Sequence, residues 1–286
     1  NQSITLDNGG TLHIEADSLH TALGGNSTGT ITLNTGKSLT TSNGTVTLSA
    51  LNFAIDGSIS TGNANVIIGQ SVDGAALTLG FTGAMLTDAE LDNITTTGTI
   101  IIGQATTAGL NGVGGGTQLT TGAITLDELT LGTKNITLIG STIADDDDVG
   151  SSITTTGTLT LTSTAEIGNV SSGAEGLNID VATLAITGTG SSAATLTHEG
   201  TTNTNLTFGA TVVGGALTAT ATTGDILDTG TLTITGAATF NTIVNSSNII
   251  LDDASNVFSN AVTLKAGATG TGTFGNITFV DSAAVV

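Results

Sequence analysis

Residues 156–164 read TGTLTLTST. Successive side chains of an extended chain point to opposite sides, so Leu159 and Leu161 share one face and Thr158, Thr160 and Thr162 the other. Threonine is β-branched and stiff at χ1, which suits the solvent side of a strand. The stretch predicts a short, half-buried strand headed by a glycine.

The phrase recurs in both directions along the chain. Period two pairs Ile31 with Leu33, Val46 with Leu48, Ile100 with Ile102, Ile124 with Leu126 and Ile136 with Leu138. It continues at Leu177 and Ile179, Leu232 and Ile234, Val262 and Leu264, and Ile277 and Phe279. Each run ends at Gly, Asn, Asp or Ser, residues that accept turn geometry. One such strand cannot bury its apolar side alone, whereas stacked coils cover one another and merge their inward residues into one core. The expected fold is all-β: a parallel β-helix with irregular coils of about 16–22 residues. It is read as one solenoid domain over 1–286. An immunoglobulin-type sandwich is disfavoured by the absence of Trp, Tyr and Pro.

One segment breaks the alternation. MLTDAELDNI, residues 85–94, contains no glycine, and Thr87 with Glu90 three residues later has the form of a capping box. A short helical insertion is expected near 86–94, with Leu91 and Ile94 on one face.

Composition narrows the function. Three Lys against 23 Asp plus Glu give a formal net charge of -20 among 286 residues, with no Cys. Nucleic acid and anionic lipid surfaces need cations on the protein, so neither is an expected partner. Absent Cys excludes disulfides and thiolate metal sites. No apolar run is long enough for a membrane-spanning helix. The opening NQSITLDNGG has neither the basic start nor the apolar core of a signal peptide, and a processed or excised segment is expected.

The stretch MLTDAELDNITTTGTIIIGQ resembles the repeat regions of filamentous-haemagglutinin-like bacterial exoproteins of the two-partner-secretion type. The resemblance rests on Glu90, Leu91, Ile94, Thr95, Gly98, Ile100, Ile102 and Gly103, and GTKNITLIGSTI at 132–143 is similar. It implies a right-handed parallel β-helix displayed outside the cell, with a structural or adhesive role. The Asn-Pro motifs of that family's secretion domain are missing, as are the aromatic girdles of a membrane barrel, so a stretch of shaft is expected.

Candidate chemistry is sparse. His13 and Glu15 alternate on one strand and are expected on its outer face, while His20 and His198 have no recognisable ligand spacing around them. Asp145, Asp146, Asp147 and Asp148 form the only acidic run, the one place where calcium comes into question. The run lacks alternating spacers and a bending glycine, so a solvated acidic turn is expected and no cofactor. Asp56, Asp127, Asp180, Asp225, Asp228, Asp252 and Asp253 are read as turn residues near strand ends. With no Arg, scattered Lys37, Lys134 and Lys265, and no aromatic sugar platforms, a polysaccharide-degrading enzyme is not expected. The threonine rows Thr218, Thr220, Thr222 and Thr229, Thr231, Thr233, Thr235 suggest an ice-binding face, but the doublets drift between coils. Asn43, Asn93, Asn135, Asn205 and Asn276 begin glycosylation sequons.

The chain is therefore expected to be a structural, non-enzymatic rod at the bacterial cell surface. It would stack head to tail with copies of itself through Ile4, Leu6, Leu12, Ile277, Phe279 and Val285, or form an adhesin shaft. The alternative is an adhesin module whose loops at 105–121 or 144–152 bind a glycan or receptor.

Overall fold

The computed structural model describes residues 2–16, 29–103, 121–146, 150, 152–168, 176–188, 192–267 and 273–282. They divide into two compact units, Asn1–Ser141 and Thr142–Val286. Each is a parallel β-solenoid.

In the first unit the strands Leu12–Glu15, Val46–Ser49, Val66–Gly69, Thr99–Gly103 and the opening part of Asn135–Asp145 lie side by side on one face. Leu12 aligns with Val46, Val46 with Val66, Val66 with Ile100 and Ile100 with Ile136, so coils repeat after 34, 20, 34 and 36 residues. A second face stacks Ile4, Leu39, Ile59 and Ile94. A third pairs Thr30–Leu33 with Asn52–Ile55. The inward positions Val46, Leu48, Val66, Ile68, Ile100, Ile102, Ile136 and Leu138 are fully buried. Each contributes about 1.5–3 kcal/mol by leaving water.

The coil between Ile59 and Ile94 carries the helix Asp88–Asp92, with Thr87 as its N-cap and a complete capping box to Glu90. The helix is tied to coils on both sides. Glu90 Oε1 accepts the Ile55 N–H at 2.9 Å, and Asn93 Nδ2 donates to the Ile55 carbonyl at 2.7 Å. Asp88 Oδ1 accepts the Thr130 N–H at 2.7 Å, and Lys134 Nζ meets Asp92 Oδ1 at 3.0 Å. Leu91 and Ile94 are buried beneath it.

The second unit repeats more evenly. Its strands Ala193–His198, Leu217–Ala221, Ala238–Thr242 and Val262–Ala266 form one face, with Ala194, Leu217, Ala238 and Val262 in register at intervals of 23, 21 and 24 residues. On the next face Leu206, Ile226, Ile249 and Ile277 align at 20, 23 and 28. An aromatic line runs through the core. Phe208 and Phe240 meet edge to face at 5.9 Å, Phe240 and Phe258 at 6.2 Å, and Phe258 reaches Phe279 at 5.0 Å.

Each unit has coils inside the expected range of about 16–22 residues, such as Val46 to Val66 and Leu206 to Ile226 at 20, and longer ones of up to 36 in the first unit and 28 in the second. Strand spacing counts neighbouring faces as well as neighbouring coils, and inserted segments such as the helix lengthen single turns without disturbing the register.

Candidate functional site

The polar side chains of the second unit are organised as ladders between coils. At one corner, Asn205 Oδ1 accepts the Asp225 N–H at 2.9 Å, Asp225 Oδ1 accepts the Asn248 N–H at 2.7 Å, and Asn248 Oδ1 accepts the Asn276 N–H at 2.8 Å. Each member precedes the first inward residue of its strand, so one side-chain oxygen satisfies a turn amide that no strand partner reaches. At another corner Asp228 accepts the Asp252 N–H at 3.0 Å and Asn256 Nδ2 at 2.6 Å, while Asn256 Oδ1 accepts the Leu232 N–H at 2.8 Å. The first unit uses the same device: Asn43 Oδ1 accepts the Asn63 N–H at 3.1 Å. The sequons at Asn43, Asn205 and Asn276 therefore fall within ladders, and the Asn93 amide nitrogen is engaged with Ile55.

A denser cluster surrounds Asp180, which lies inside the strand Leu177–Gly188 and is fully buried, not a turn residue at a strand end. The turn after His198 folds over it. Asp180 accepts hydrogen bonds from Thr201 Oγ1 at 2.6 Å, the Thr202 N–H at 2.5 Å, the Asn203 N–H at 2.8 Å and Asn203 Nδ2 at 2.9 Å. Burial pushes its pKa up, but these four donors to the ionised form outweigh burial and hold the carboxyl below its ordinary value near 3.8. His198 continues the inward phase of Ala194 and Leu196 and is also fully buried. Its Nε2 lies 2.8 Å from the Asn203 carbonyl, and its Nδ1 is buried with no hydrogen-bond partner. A carbonyl only accepts, so Nε2 carries the proton. Burial pulls the imidazole pKa below 6.5, against the opposing effects of the Asn203 carbonyl and the Asp180 charge. The period-two phase of TLTHEG was the available signal for this inward histidine.

The acidic run differs from a solvated turn at its first member. Asp145 is 8% exposed, accepts from Ser152 Oγ, and accepts the Asn178 N–H at 3.4 Å. It ends a strand and faces donors from Ser152, seven residues on, and from Asn178, further along the chain, which satisfy a buried carboxylate. Asp146 is exposed, and Asp147 and Asp148 lie outside the described residues. Among the described residues, no group of three or more His, Cys, Asp or Glu is placed to hold a metal ion. His13 is exposed, Glu15 is half-buried like Leu12 and Ile14 of the same strand, and His20 lies outside the described residues.

Of the expected assembly residues, Ile4 is 39% and Ile277 48% exposed. Leu6, Leu12 and Phe279 are half-buried, and Val285 lies outside the description, as does nearly all of 105–121. A cavity of about 290 Å³ in the first unit has a mixed lining, apolar at Ile4, Ile14, Ile31 and Leu39 and polar at Gln2 and Lys37, among others. The threonine rows are better aligned than the sequence suggested in one column, Thr195, Thr218, Thr239 and Thr263. The neighbouring column passes from Thr197 and Thr220 to Asn241 and Lys265 and ends the doublet.

These features define a parallel β-solenoid repeat protein whose polar residues are engaged largely in holding one coil to the next. A family model described as repeats of unknown function (DUF5649) matches residues 193–265. The matched segment runs from the strand Ala193–His198 into the strand Val262–Ala266, the most evenly spaced part of the second unit. No curated protein and no solved structure gives a significant match to the chain.

Proposed function

We propose that the chain is structural: a length of β-solenoid shaft in a bacterial surface filament, sheath or adhesin, acting without catalysis and without a bound cofactor. The observation that carries this reading is the corner ladder Asn205, Asp225, Asn248 and Asn276. A polar residue repeated at one corner and engaged with the next coil lengthens a rod; a reactive site instead concentrates groups around a space for substrate. The extracellular setting draws on the resemblance of residues 85–104 to filamentous-haemagglutinin-like exoproteins, and the net charge of -20 favours solubility. Head-to-tail stacking belongs to the same reading. Ile4 and Ile277 are exposed ladder positions that a further coil, from the same chain or from another copy, would cover.

Electron microscopy of the purified chain over a concentration series, with and without Ca²⁺, tests it. Filaments with an axial repeat near one chain length support assembly, and dispersed short rods support a shaft segment. Compact particles with no long axis at any concentration would overturn the proposal.

A further inference from the structure

A charged imidazole has no place in the core of the second unit as it stands. His198 lies between Ile179 of the preceding coil and Ala221 of the following one, beside Leu196 of its own strand. The ring's single hydrogen bond is from Nε2 to the Asn203 carbonyl. The enclosed Nδ1 lacks an acceptor, so a second proton there would be buried and unpaired. The turn that His198 contacts is the one that covers Asp180, through Thr201, Thr202 and Asn203. That turn also rests on the next coil, where Thr222 Oγ1 donates to the Glu199 carbonyl at 2.9 Å and Thr223 Oγ1 to the Thr204 carbonyl at 3.1 Å.

The charged groups around the ring are few. The preceding coil offers Asp180, whose carboxylate is already held by four donors. Glu199 follows His198 on its own chain, and the next coil sets the apolar Ala221 opposite. Asp225, at the far end of that coil's turn, is bonded to Asn248.

We propose that His198 is an acid-sensitive latch: neutral, it closes the 199–205 turn over Asp180, and on protonation it releases that turn from both neighbouring coils. Nothing in this depends on the shaft role; it requires only the fold.

Hydrogen exchange of the full chain at pH 7.5 and pH 5.0, corrected for the intrinsic effect of pH on exchange, tests the latch. Asp180 stays ionised at both values, so its own titration does not loosen the turn. Protection of residues 199–205 is expected to fall by about tenfold or more at pH 5.0, while the turn at 244–247 keeps its protection. His198→Gln, which cannot take a second proton, is expected to show equal protection of 199–205 at both pH values. Unchanged protection in the parent chain, or the same acid loss in the variant, would overturn the proposal. Should the variant fail to fold, ¹⁵N-histidine spectra of the parent chain decide. The latch requires an Nε2–H neutral ring whose protonation coincides with loss of protection at 199–205. Titration of His198 near its ordinary value with the turn still closed would refute it.

Discussion

The Asp225 carboxylate accepts both nitrogens of Asn248, the backbone N–H at 2.7 Å and Nδ2 at 3.2 Å, across one full coil. Asp225→Ala leaves the backbone donor without its partner, and a loss of about 1–3 kcal/mol is expected in urea unfolding. Asp225→Asn keeps an acceptor oxygen and should recover most of that loss. Equal destabilisation by both variants would mean that the negative charge, not the ladder bond, matters at this corner.

Phe240 is fully buried between Phe208 and Phe258, with its ring edge-on to each. Truncation to alanine opens a cavity in a narrow core and is expected to lower stability by about 3–5 kcal/mol. Ile100→Ala, Leu159→Ala and Leu232→Ala, all at fully buried positions, should each cost about 2–5 kcal/mol. Unchanged thermal unfolding in any of the four would contradict the assigned core.

Two linked titrations shape stability against pH. The folded-state pKa of His198 lies below 6.5, so the unfolded chain binds its proton more readily. The stability tied to its neutral form is complete above that value and declines as pH falls below it. Asp180 is also depressed, from 3.8, so its contribution persists to lower pH and is lost as pH falls through its folded-state value. Urea midpoints measured from pH 8 to pH 3 should therefore fall in two steps. His198→Gln should remove the upper step alone, and Asp180→Asn should weaken the lower one.

Coils of the second unit should be exchangeable. Deleting residues 217–237 would bring Ala194 against Ala238, Leu206 against Ile249 and Val213 against Phe258, since each pair now flanks a shared partner. It would also set Asn205 Oδ1 opposite the Asn248 N–H and restore the corner ladder one rung shorter. The shortened chain is expected to fold with an unchanged strand signature in circular dichroism and cooperative melting. A chain that aggregates or melts without cooperativity would show that the coils are individually fitted.

Gly103 has φ +91, and a Cβ there would overlap the Ile139 carbonyl; Gly80, at φ +99, faces the Asp127 carbonyl in the same way. Alanine at either position is expected to destabilise by about 1–3 kcal/mol, readable as a lower melting temperature.

Much of the fold was legible because period two survives in so many short runs. Val46 and Leu48, Ile100 and Ile102, and Leu232 and Ile234 are all fully buried, as their alternation required. Thr87 and Glu90 were readable as a cap because a capping box is local. What the box could not show is that Glu90 also reaches Ile55, 35 positions back. Ladder partners such as Asn205 and Asp225 lie one coil apart, and the coil length is set by turns whose geometry follows no simple pattern. The buried carboxylates were misread for a related reason: Asp145 and Asp180 resemble turn residues until the donors supplied by Ser152 and Thr201–Asn203 are brought beside them. His198 was hidden by residue type, although its inward phase was written in the alternation.

The register columns carry one more consequence. Leu206 meets Ile226 after 20 residues, and Ile249 meets Ile277 after 28. Along these columns each coil needs only its immediate predecessor to complete its pairing, so closure entropy is met in small instalments rather than in one long search. A unit of this kind can grow vectorially. Coils laid down first offer a template to those that follow, so the topology permits folding in the order in which the chain emerges.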